Sequence, residues 1–122
     1  MNGNMHSLSI LALAILGAQA AGTVNGASVD MRNFQGVGKF CLHSTQPAAG
    51  TTGDVKVQHS DDGAVWADAG ITFPQVTNAA NHGLQEIVTN ADNLKRYVRG
   101  VSTVAGAGTF THSLKFVGIK QR

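Results

Sequence analysis

The chain has 122 residues, enough for one domain with its own core, and its formal charge of +2 is too small for a nucleic-acid binder, which draws most of its affinity from a dense basic patch. Only 13% of the residues are charged, about half the usual share, and fifteen glycines with many Thr, Ser, Ala and Asn fill the difference. Cys41 is the single cysteine, which excludes an intrachain disulfide and a thiolate zinc cluster.

The amino-terminal segment carries an apolar run, Leu8, Ile10, Leu11, Leu13, Ile15 and Leu16, followed by Ala18-Gln19-Ala20. Small residues after an apolar stretch resemble a signal-peptide cleavage site, but Met1 to Ser7 holds no Lys or Arg and the run is too short to span a bilayer as a helix. The reading adopted is an uncleaved docking arm over residues 1–24, helical if it has regular structure, whose six large aliphatic side chains bury against a neighbouring subunit. Membrane insertion is not expected.

From residue 25 to 122 the pattern is strands and turns. "VGKFCLH" (37–43) is a compact apolar run bounded by glycine and by Ser-Thr-Gln-Pro. "DVKVQHS" (54–60) alternates, with Val55 and Val57 on one face and Lys56 and Gln58 on the other, as a half-buried strand does. Asp62-Gly63 reads as a two-residue hairpin turn, because glycine accepts the positive φ of primed turns. Trp66, in the following segment "AVWADAGITF" (64–73), is then expected to plug one face of a sandwich, worth about 3–5 kcal/mol against alanine. "LQEIVT" (84–89) and "KRYVRGVSTV" (95–104) follow, separated by a turn around Ala91 to Leu94 that is the other candidate for helix. Gly106-Ala107-Gly108 ends the second of these strands, and "TFTHSLKFVGIK" (109–120) sets Phe110, His112, Leu114 and Phe116 in one even register. Gly100 and Gly118 inside strand patterns point to bulges or close backbone approach. Short strands, frequent turns and no long amphipathic helix predict an all-β, antiparallel β-sandwich preceded by an extended arm.

Chemistry is hard to find along this chain. "GVGKF" (36–40) lacks the spacing of a phosphate loop. His6, His43, His59, His82 and His112 are scattered without metal-ligand spacing, and neighbouring His59, Ser60 and Asp62 cannot meet as a triad. "SDDGAVW" (60–66) has neither the alternating aspartates of a calcium hand nor the full spacing of a sialidase Asp-box. No catalytic, cofactor-binding or metal-binding residue is assigned, and an enzyme is not expected. After Asp92 there is no acidic residue, while Lys95, Arg96, Arg99, Lys115, Lys120 and Arg122 follow; Lys95, Arg96, Arg99 and Lys120 are the candidate basic face for an acidic protein partner.

"ASVDMRNFQGVGKFCLH", "VKVQHSDDGAVWADA" and "LKRYVRGVSTVAGAGTFTHSLKFVGI", in this order, resemble the small head decoration (capsid cement) proteins of tailed bacteriophages over about residues 22–120. Met31, Phe34 and His59 stand where that family commonly has leucine, tyrosine and an acid. The resemblance implies a sandwich or jelly-roll subunit, commonly a homotrimer, bound to the major capsid protein on the outer surface of the virion. The alternative is a secreted carbohydrate-binding module, with residues 1–20 as a cleaved signal peptide and an exposed Trp66 as a stacking platform. A tail-associated or head-fibre adhesion subunit is a third expectation within the structural class.

Overall fold

The structure is a computed structural model that describes the backbone of residues 6–12 and 17–121 and the side chains of residues 18–119. Its described strands are β1 (His6–Ala12), β2 (Gly17–Gln19), β3 (Gly22–Asn25), β4 (Val29–Asp30), β5 (Val37–Ser44), β6 (Thr52–Ser60), β7 (Ala67–Thr72), β8 (Gly83–Asn90), β9 (Tyr97–Ala105) and β10 (Phe110–Gln121). One 3-10 turn, Ala91–Asn93, joins β8 to β9, where the sequence predicts helix; Asn90 caps it by accepting the N–H of Asp92 at 2.9 Å.

Two five-stranded antiparallel sheets result. One runs β1-β10-β5-β8, with β2 also on β10; the other runs β3-β9-β6-β7, with β4 also on β9. If β1 and β2 are taken as one interrupted strand, and β3 and β4 as another, eight strands remain, four in each sheet, and consecutive strands lie in opposite sheets except β6 and β7. That order is the double Greek key of a jelly roll.

The amino-terminal segment differs from expectation. Its described part is strand, not helix, and pairs with this chain's own domain: His6 to Ala12 run against Gln121 to Lys115, and Gly17 to Gln19 against His112 to Phe110. Ser7 and Ser9 alternate with Leu8 and Ile10, a period of two that favours extended backbone. The expected boundary between residues 24 and 25 falls inside β3, which pairs with β9. Leu13, Ile15 and Leu16, and the side chains of Leu8, Ile10, Leu11 and Lys120, lie outside the described residues.

Period-two patterning fills the space between the sheets. β10 sends in Phe110, His112, Leu114 and Phe116, β5 sends Phe40 and Leu42, and β6 and β9 contribute Val55, Val57, Val98 and Val104. Phe116 sits at the centre, 5.3 Å from Phe34 in an edge-to-face pair and 5.0 Å from Phe40. Met31 and Phe34 belong to this core, brought in by a tight turn in which Phe34 N–H donates to the Met31 carbonyl at 2.9 Å. Gly118 is a site of close approach: a Cβ there would fall on the Phe116 ring and lie 3.2 Å from Phe34. Gly100 is not a bulge. It is paired in unbroken register opposite Val57. The irregularity lies on β7 instead, where Val57 pairs with Ile71 but Gln58 pairs with Asp68, so that Ala69 and Gly70 (φ 81°) are extra.

Candidate functional site

The outer faces of the two sheets differ sharply in character. On the β10-β5-β8 sheet, cross-strand register builds rows of outward residues: Ser113, His43 and Leu84; Lys115, Cys41 and Glu86; Val117, Lys39 and Val88. Val37 and Ile119 extend the face toward one end. Of the five exposed large hydrophobics among the described residues, four lie here: Val37 (62% exposed), Leu84 (62%), Val88 (70%) and Ile119 (37%). Two shallow depressions of about 420 and 280 Å³ share Lys39 and Val117 as lining; the first adds Cys41, His43, Leu84, Glu86 and Lys115, and the second Val37, Val88 and Ile119 with two glycines.

Charge on this face is largely self-neutralised. Lys39 Nζ donates to Glu86 Oε2 at 2.8 Å; that bond raises the lysine pKa and lowers the glutamate's. The Cys41 thiol lies 3.8 Å from the same carboxylate, and burial first, then the Glu86 charge, pushes its pKa up. A thiol so placed stays protonated near neutral pH and is a poor nucleophile. What remains is an apolar surface around a polar centre in which Lys115 adds one positive charge to the Lys39–Glu86 pair, suited to burial against another protein.

The outer face of the β9-β6-β7 sheet is polar and internally satisfied. Arg99, Gln58 and Asp68 form one row. Arg99 Nε and Nη2 donate to Gln58 Oε1 at 3.0 and 2.8 Å, Gln58 Nε2 donates to Asp68 Oδ1 at 3.1 Å, and Lys56 Nζ lies 3.0 Å from Asp68. Trp66 belongs to this outer face and is half-buried, with the Arg99 guanidinium 4.5 Å from its ring centroid. The expected core plug is therefore corrected. β7 begins only at Ala67, so Trp66 ends a loop and closes over the sheet from outside rather than entering it.

That loop is not the expected two-residue turn. His59 pairs with Ala67, leaving residues 60–66 to connect the strands. Ser60 Oγ accepts the N–H groups of Asp62 (3.2 Å) and Gly63 (2.9 Å), and its hydroxyl donates to Asp62 Oδ1 at 2.9 Å. Asp62 Oδ1 accepts from Ala64 N–H (2.8 Å) and Val65 N–H (3.0 Å). These bonds, Val65 and Ala64 first, hold the Asp62 carboxyl down to about 2. Of the two turn residues only Gly63 has positive φ (77°), so a type I′ turn, which needs it at both, does not form. The side-chain bonds stabilise a wider loop instead.

The four candidate basic residues do not form one free patch. Lys95 Nζ is 3.5 Å from Asp61, and Arg96 Nη2 is 3.1 Å from Asp30 while its guanidinium carbon lies 4.9 Å from the Tyr97 ring centroid. Arg99 is held by Gln58 and Trp66, as above, and the Lys120 side chain is outside the described residues. The histidines are likewise dispersed: His59 Nδ1 accepts the Lys95 N–H at 3.3 Å, His112 is buried, and His43 and His82 are exposed on separate elements. Among the described residues no three His, Cys, Asp or Glu side chains converge as a metal site would require.

Leu84, Val88, Val117 and Ile119 were not singled out by sequence reasoning. The signal was present: "LKFVGI" (114–119) and "LQEIV" (84–88) place apolar residues in both registers of a strand, whereas "DVKVQ" (54–58) does so in one. A strand apolar on both faces of a two-layer fold must leave one of them outside.

No protein-family model matches the chain, and no curated protein matches it. Solved structures do. Over 97% of its length the chain is similar to the VP2 subviral particle of infectious bursal disease virus, with a TM-score of 0.58 and 11% identity. It is similar over 97% to the T13 viral particle of the same virus (TM-score 0.57, 8% identity) and over 95% to that of the Gx strain (0.54, 9%). The chain spans about a third of the length of those viral chains, covering 33%, 32% and 32% of them. At such identities the likeness is one of fold: the jelly roll of this chain is an arrangement that viral capsid proteins use.

Proposed function

We propose that the chain is a structural virion protein, a capsid decoration subunit that binds the major capsid protein on the outer surface of the particle through the apolar face of the β10-β5-β8 sheet. The observation that carries this reading is the concentration of Val37, Leu84, Val88 and Ile119 on one sheet face of a jelly roll whose other face is polar. A domain of this size gains nothing by holding such side chains in water; their burial against a partner yields roughly 25 cal/mol per Å². The capsid-like fold and the resemblance to phage head proteins agree with that use. Leu8, Ile10, Leu11, Leu13, Ile15 and Leu16 are the second proposed contact. Trimeric subunits contacting the capsid at many points would raise the cost of rupture by multivalency. For the carbohydrate alternative, Trp66 is half-buried on the outer face and Arg99 covers one face of the ring, which leaves only the opposite face for stacking.

Mass spectrometry of purified virions tests the reading. A high copy number with the amino-terminal peptide intact is the expected result. A protein absent from particles, with a mature start near Ala21, overturns it.

A further inference from the structure

Four buried side-chain atoms have no hydrogen-bond partner among the described residues: Gln19 Oε1, Ser44 Oγ, Ser102 Oγ and His112 Nε2. Register brings them together. His112 on β10 is directly opposite Ser44 on β5 and Gly17 on β2; Gln19, two residues along β2, is opposite Phe110. Gln19 Nε2 then crosses to the other sheet and donates to the Ser102 carbonyl at 3.0 Å and to the Gly22 carbonyl at 3.1 Å. Elsewhere the space between the sheets is filled by aliphatic and aromatic groups, so these residues form a polar layer at one end of the sandwich.

We propose that this layer is a proton-sensitive latch: protonation of His112 releases β2 from β10. The geometry identifies the atom. His112 is 3% exposed and stacks on Phe110, ring centroids 4.4 Å apart, and its Nδ1 lies 3.3 Å from the Phe110 carbonyl. With Nδ1–H donating to that carbonyl, Nε2 is a bare acceptor and takes the proton. Among the described residues no charged side chain faces it. The inward residues on the elements around it are Leu42 and Ser44 on β5, Ser102 and Val104 on β9, Gly53 and Val55 on β6, and Gln19 on β2. An imidazolium there has no counter-charge, and burial accordingly depresses the His112 pKa. Hydrating the charge requires opening the layer. The least costly opening is at β2, which holds β10 through only three residue pairs, whereas β5 holds it through six and β1 through seven.

The sign follows from linkage. A histidine whose folded pKa is depressed binds protons preferentially in the open form, so the closed form loses stability as pH falls below the usual value of about 6.5 and on toward the depressed one. Hydrogen exchange of the full chain at pH 7.5 and 5.0, with labelling times corrected for intrinsic exchange, tests the latch. Protection of residues 17–19 and 110–112 is expected to fall at pH 5.0 by up to about 30-fold, the ceiling for one histidine opening to a pKa of about 6.5. β6 and β9 should keep theirs. In His112→Gln and His112→Phe the acid loss should vanish. Unchanged protection in the wild type overturns the proposal, as does the same loss in either variant. Because the measurement concerns the isolated chain, its failure leaves the virion reading untouched.

Discussion

The two outer faces are built from the same kind of strand and reach opposite results. On the β9-β6-β7 sheet every row contains groups that answer one another: Arg99 with Gln58 and Trp66, Gln58 with Asp68, Asp68 with Lys56, and Thr23 with Thr103 at 3.0 Å. On the β10-β5-β8 sheet Lys39 and Glu86 neutralise each other, and beside Lys115 and His43 the face carries Val37, Leu84, Val88 and Ile119 exposed. The first face is finished within the monomer. The second leaves large aliphatic side chains exposed and is the face proposed to meet a partner. Edge protection follows the same division. β7 is bulged at Ala69-Gly70 and carries Asp68, whereas β8 pairs with β5 over eight uninterrupted residue pairs and has no such irregularity.

The comparison can be broken most severely at the apolar face. Leu84→Glu combined with Val88→Glu should weaken attachment to capsids by more than about 100-fold, since each lost burial is worth roughly 1.5–3 kcal/mol and 1.4 kcal/mol is a factor of ten. Thermal unfolding of the free protein should move little, as for exposed substitutions generally. Sedimentation with particles and a melting curve on the same preparation distinguish the two effects. A large loss of stability would mean that these side chains pack within the monomer.

The opposite result is expected on the polar face. Trp66→Ala should remove the cover over Arg99 and cost about 1–2 kcal/mol of folding stability, through the cation–π contact and the partial burial of the ring. Capsid attachment should be unchanged. If attachment falls and stability does not, the polar face is the contact surface and the assignment of the two faces is reversed.

Acid sharpens the contrast within the 60–66 loop. The Asp62 carboxyl is held at about 2, below its ordinary 3.8, so its contribution is present above pH 3.8 and is lost as pH falls toward 2. Asp62→Asn should flatten that part of the stability–pH profile, as followed by tryptophan fluorescence of Trp66. The smallest effect belongs to Glu86→Gln. Lys39 and Glu86 are both well exposed, and the lysine pKa in NMR titration should return toward its ordinary value with almost no change in melting temperature.

Several elements were legible because the polypeptide encodes them locally. "DVKVQHS" and the first part of β10, "FTHSLKF" (110–116), follow a period of two, and the structure places Val55, Val57, Phe110, Leu114 and Phe116 inside, as that pattern requires. The 3-10 turn at Ala91–Asn93 falls where local signals put it. The errors arose where one local rule was applied without its competitor. Asp62-Gly63 is a good hairpin pair, but the Asp62 carboxylate binds the Ala64 and Val65 N–H groups and opens a wider loop. Trp66 is large and apolar, yet it stands one residue before its strand begins and across from Arg99, so it covers the sheet from outside.

The amino-acid sequence by itself determined the fold class, the inward register of most strands and the poverty of catalytic groups, because each depends on residue types at short spacing. Only the tertiary structure decided which sheet each strand joins, that Val37, Leu84, Val88 and Ile119 gather on one face, and that Gln19, Ser44, Ser102 and His112 meet in a buried layer. These are properties of antiparallel register between segments as distant as His6 and Gln121, and of contacts across the sheets such as Gln19 to Ser102, and no local pattern specifies which distant strand will lie alongside.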